Sequence, residues 1–225
     1  MQASQMEISG MQAKSPKSLA PNSLASRSFV GGWPLVGALT AVIALGAFDF
    51  AALGHFDAGA LRMSIRFTAR TSVILFLLAF SASSLLRHYP GSATRWLMRN
   101  RRYLGLSFAA SHALHGMAII AFAETAPLAF HEATSPVTFI FGGIGYAFIL
   151  AMSATSFDRT AAAIGPRAWK LLHRTGAFYL WAQFVVSFIK HLDGMPIYFA
   201  FLGLLALAMA LRIAAALRLL LVQAQ

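Results

Sequence analysis

The chain has 225 residues, 58% of them hydrophobic and 11% charged, with 18 Lys and Arg against 7 Asp and Glu for a formal net charge of +11. Such apolarity excludes an ordinary soluble domain of this size and points to an integral membrane protein. The basic residues sit between hydrophobic stretches rather than on one polar module, so the charge speaks for membrane orientation and against nucleic acid. Cysteine is absent, which removes disulfides, thiolate metal sites, iron–sulfur clusters and cysteine nucleophiles together.

Residues 1–30 contain SPKSLAPNSLASRS, with Lys14, Lys17 and Arg27 and no periodic apolar face, and are expected to form a flexible cytoplasmic tail. From residue 31 to 225 the expectation is one all-α integral membrane bundle of six transmembrane helices. The segments are 33–53, 68–86, 103–123, 136–156, 169–189 and 195–217, each near the roughly 20 residues that a bilayer core requires. No GxGxxG after a strand, no P-loop and no long connection accompanies them, so nicotinamide or flavin chemistry would have to come from another chain.

Placing the amino terminus inside leaves only Arg62, Arg66, Arg70 and Lys190, four of the 18 basic residues, on the outer flanks. This favours a multi-pass protein of the inner (plasma) membrane with both termini cytoplasmic. The three arginines of the first outer loop run against that rule and need their own explanation.

Several spans are interrupted by polar residues, as segments lining an internal site are: Asp49, His112, His115, His173 and Arg212. In RRYLGLSFAASHALHG, His112 and His115 are three residues apart and share a helical face near Gly105 and Phe108. Gly105, Ala109 and Gly116 are small enough for a flat ligand to approach the backbone. With borders near Tyr103 and Arg167, the helical rise puts His112 about 13 Å deep, His115 about 18 Å and His173 about 9 Å. Within the uncertainty of helix borders His173 can face either of the others, whereas His191 falls near the outer surface.

Two neutral imidazoles facing across a bundle interior suit a low-spin b-type haem, with Arg70, Arg101, Arg102 and Arg174 as candidate anchors for its propionates. The same histidines also allow a different class of function, a transporter or a proton- or metal-handling membrane protein. A zinc site would want a carboxylate, and Asp49, Glu124 and Asp158 all sit toward span ends. His55, His88 and His131 read as solvated loop residues.

Three stretches, RRYLGLSFAASHALH, FTARTSVILFLLAFSASSLLRHYP and TSFDRTAAAIGPRAWKLLHR, resemble the ferric reductase-like transmembrane domain family, which includes haem subunits of MsrQ type. The likeness runs from about residue 62 to 190. It implies that His115, after RRxLGL, and His173, in WKxLH, are haem b ligands, and that Arg70 in T-A-R stands where the family has T-G-R. It also implies an electron path across the membrane, fed by a quinol or by a flavin on a separate reductase and ending on a periplasmic redox partner. Where two-haem members carry a further histidine this chain has Val186, so one haem is expected. Motif matching favours His115 and depth favours His112; His115 is ranked first, because helix borders are softer than the motif, and His112 is an extra.

Overall fold

The computed structural model describes residues 31–192 and 194–223; the expected N-terminal tail lies outside the described residues. Seven helices follow one another there: α1 (Gly32–Leu53), α2 (Ala58–His88), α3 (Ser92–Thr125), α4 (Pro127–Ala133), α5 (Pro136–Ala154), α6 (Asp158–Ile189) and α7 (Ile197–Gln223). Among the described residues there are no strands. Five of the helices, α1, α2, α3, α5 and α7, are long and apolar enough to cross a membrane. Side chains such as Leu45, Phe139, Leu150 and Leu207 lie exposed on them, the surface a chain shows when lipid is its solvent. α6 falls outside that group because Lys170, His173, Arg174 and Gln183 interrupt it.

The elements begin where local chemistry starts them. The Gly32 N–H at the head of α1 donates to Asn100 Oδ1 of α3 at 3.0 Å, which satisfies one of the open donors of a helix start. A Cβ at Gly31 would lie 2.8 Å from that same oxygen, so a larger residue there would push the Asn100 side chain off the cap. After α1 the chain reverses through His55 and Phe56, both in the left-handed region at φ 52 and 57. Asp57 then caps α2 by accepting from the Ala60 N–H at 2.7 Å.

That cap sets the start of α2 ten residues before the apolar segment read from the sequence. Arg62, Arg66 and Arg70 are therefore on helix rather than in an outer loop. Arg62 lies over the Phe122 ring and Arg70 over Tyr198, at 5.1 and 5.3 Å from the ring centroids. Two further expectations of loop residues are corrected in the same way. His88 is the last residue of α2 and donates from Nε2 to Leu211 O at 3.2 Å, and His131 lies on α4.

α2 and α3 form the most extensive helix pair, and small hydroxyl residues let them approach. Ser72 Oγ meets Ser111 Oγ at 2.9 Å, Thr71 Oγ1 meets the same atom at 3.2 Å, and Ser72, Ser107 and Ser111 are fully buried. In an apolar medium such close contacts and interhelical hydrogen bonds, worth about 0.6 kcal/mol each, replace the hydrophobic drive. Around this seam Phe76, Phe80, Leu104 and Phe108 join Leu180 and Phe184 of α6 and Leu205 of α7 in one core. α6 is itself broken at Gly165 (φ 77, ψ 160) followed by Pro166; the proline has no N–H to continue the helix and the glycine takes the backbone turn.

Candidate functional site

His115 projects from α3 toward α2, and its Nδ1 lies 3.2 Å from Ile65 O and 3.1 Å from Thr68 Oγ1. A carbonyl oxygen only accepts, so Nδ1 carries the hydrogen and the neutral ring keeps its lone pair on Nε2. A histidine so fixed at one nitrogen is oriented to offer the other.

The His112 ring lies 5.1 Å from that of His115, 5.0 Å from Tyr146 of α5 and 6.1 Å from Phe184 of α6. Its Nδ1 is buried with no hydrogen-bond partner among the described residues. Tyr146 donates its hydroxyl to the backbone oxygen of His112 at 3.1 Å. Gly116, expected to admit a flat ligand, instead receives that hydroxyl, which would stand 2.9 Å from an added Cβ.

His173 has a different neighbourhood. Its Nε2 is 3.1 Å from Thr155 Oγ1, and the Thr155 hydroxyl donates to Ala151 O at 2.7 Å. The hydroxyl therefore accepts from Nε2–H, and the neutral ring keeps its lone pair on Nδ1. Trp169, one turn earlier, stacks on the imidazole at 4.3 Å and donates from Nε1 to Thr155 O at 2.9 Å. The pair thus grips the end of α5 from α6.

These contacts fix the levels of the histidines. Tyr146, beside His112, precedes Thr155, beside His173, by nine residues on α5, about 13 Å at the helical rise. Phe184, also beside His112, follows His173 by eleven residues on α6, about 16 Å. The structure brings His112 and His115 together but does not bring His173 to them. The depth estimate erred because it measured each helix from a separate border, whereas α6 is set against α3 by the packing of Phe184 on Phe108 at 6.2 Å.

A cavity of about 490 Å³ occupies the His173 level, within the size range of cofactor and small-molecule sites. Its apolar wall is made by Phe76, Phe80, Phe108, Ala109, Ile149 and Leu180, and its polar wall by His173, Arg101, Arg102, Lys170, Arg174 and Arg212. Gly105 lines it with nothing within 4 Å of an added Cβ. Three of the four arginines singled out in the sequence meet here; Arg70 does not. Its NH2 donates to Met195 Sδ at 3.1 Å, and its Nε is buried without a partner among the described residues.

Among the described residues the one ion pair is Arg102 NH1 to Asp158 Oδ1 at 3.0 Å, so most of the cavity's positive charge has no carboxylate. No group of three or more His, Cys, Asp or Glu gathers among those residues to hold a bare metal ion. Sequence reasoning passed over Lys170, Thr155, Tyr146 and Thr68. Lys170 and Trp169 stand three and four residues before His173, a helical spacing that could have placed both beside it; nothing local marks the residues contributed by other helices.

No family model, curated protein or solved structure matches the chain.

Proposed function

We propose that this chain is a six-span membrane haem protein that relays electrons, with its haem in the arginine-rich cavity and His173 as its imidazole ligand. The observation that carries the reading is the composition of the cavity wall: one imidazole, a broad apolar surface and five cationic side chains around one half-open site. A b-type haem has a flat apolar body, two carboxylates and an iron that takes a ring nitrogen, and these residues fit it. Open space over Gly105 suits the macrocycle, and Arg101, Arg174 and Arg212 suit carboxylates through charge-assisted bonds. His173 supplies the nitrogen, with Trp169 and Thr155 holding its ring.

The fit is to one imidazole. The separation in level between His173 and the His112–His115 pair argues against these residues holding one haem together, as the family motifs imply. Bound haem supplies reversible one-electron chemistry at its iron. The chain's own residues orient it, screen its carboxylates and keep water from its apolar edge. A quinol or a separate flavoreductase is the donor in this reading, and a partner on the opposite side the acceptor.

The sixth span is α6. Its partners on α5 run antiparallel along its length, from Thr155 opposite His173, through Met152 and Phe148 beside Gly176, to Gly145 beside Gln183. Gly176, Leu180, Phe184 and Phe188 are buried along it; of the polar residues that lower its apolarity, Lys170, His173 and Arg174 line the cavity and Gln183 meets Gly145 of α5.

Absorption spectra of the full chain, expressed with adequate haem, test this. A Soret band is expected in the wild type, in His112→Ala and in His115→Ala, and its loss in His173→Ala. A colourless wild type overturns the reading; an unaltered band in His173→Ala overturns the ligand.

A further inference from the structure

α2 and α7 are clasped at the arginine-rich end by three side chains that each donate to a carbonyl of the opposite helix. Arg87 NH1 reaches Ala215 O at 2.8 Å, His88 reaches Leu211 O at 3.2 Å, and Arg212 NH1 of α7 reaches Phe80 O of α2 at 2.8 Å. Arg212 is further held between the Phe80 and Phe178 rings, 4.2 and 5.3 Å from its guanidinium carbon. Each of the two arginine bonds uses one N–H of a guanidinium that has five. A separate cleft of about 160 Å³ lies beside the clasp, walled by Ser83, Ser84, Arg87, Arg212, Ala215 and Leu219.

The cleft has the chemistry of an anion site and the location of a lipid site. Two fixed guanidinium groups and two serine hydroxyls are donors for a tetrahedral anion, and no Asp or Glu lines it. Leu219 on its wall is 46% exposed, and Leu220 beyond it 62%, so the rim is continuous with apolar surface. A soluble anion would leave that surface uncovered, whereas an amphiphile with a phosphate head covers both. Basic pockets between spans at a membrane interface are a recognised setting for acidic headgroups.

We propose that the α2–α7 cleft binds the phosphate of an anionic phospholipid, held by Arg87, Arg212, Ser83 and Ser84, with its acyl chains along α7. Because Arg212 also lines the larger cavity, the bound lipid sets the charge on a wall shared by the two sites.

Native mass spectrometry of the full chain, titrated with phosphatidylglycerol or phosphatidylcholine of matched acyl chains, tests this. Phosphatidylglycerol adducts are expected at concentrations lower by on the order of tenfold. Arg87→Gln should abolish that preference. Ser83→Leu, which fills the cleft and leaves both arginines in place, should abolish it as well; this second variant guards against Arg87→Gln acting by loosening the clasp. Millimolar inorganic phosphate should not displace the lipid. Equal binding of the two lipids, preference retained in Ser83→Leu, or displacement by free phosphate would each overturn the proposal.

Discussion

His173 donates its Nε2 hydrogen to Thr155 Oγ1 across 3.1 Å, and this bond joins α6 to the last turn of α5. A threonine that already gives its own proton to Ala151 O fixes which nitrogen of the imidazole is protonated. Thr155→Val keeps the shape and removes the acceptor; Thr155→Ser keeps the acceptor. In haem-loaded protein the valine variant should shift the Soret maximum and the midpoint potential, and the serine variant should restore both. Identical potentials in all three proteins would show that Thr155 has no hold on the ligand.

Gly105 stands on the cavity wall with nothing within 4 Å of where a Cβ would be. A side chain that starts into this open space reduces the cavity with its first carbon clear of every neighbour, so it separates fold from occupancy. Gly105→Leu should leave helicity and thermal unfolding of haem-free protein within about 1 kcal/mol of wild type, since a helix interior favours leucine over glycine, while haem uptake falls severely. Uptake equal to wild type would place the haem elsewhere in the bundle.

The class of the fold was legible because its signals are local: long apolar runs of about the length of a bilayer span, with basic residues between them. The individual histidines His112, His115 and His173 were legible as costly residues in apolar segments. Their grouping was not. It depends on how far α6 slides along α3, which Phe184 against Phe108 and His112 settles, and no spacing within either helix records a contact between them. Arg70 was misread for the same reason: on sequence it is one more cation, and in space it sits with Tyr198 and Met195. The start of α2 was missed because Asp57 and the short turn before it carry no hydrophobic signal.

Arg102 and Asp158 form an ion pair whose side chains are 35% and 95% exposed. A pair so open to solvent contributes about 0–1 kcal/mol, and Arg102 has other uses on the cavity wall. Asp158→Asn is therefore expected to change thermal stability by less than about 1 kcal/mol and to leave the Soret band unaltered. A loss of several kcal/mol in a denaturation series would mean that the pair locks α6 to α3.

The Tyr146 hydroxyl fills the space over Gly116 and donates to the His112 carbonyl, so α3 and α5 meet through a tyrosine set into a glycine. An added Cβ at Gly116 would stand 2.9 Å from that hydroxyl and 3.3 Å from Cζ of the same ring, so Gly116→Ala must push the ring outward and break the bond. The cost should be about 1–3 kcal/mol, the usual penalty of overpacking. Tyr146→Phe removes the hydroxyl alone and should cost about 0.6 kcal/mol for the interhelical bond. In the double variant the closest clash is gone, so its loss should be smaller than the sum of the two single losses. Unfolding free energies of the four proteins in one detergent measure this coupling. Strict additivity would show that the hydroxyl does not occupy the space above Gly116.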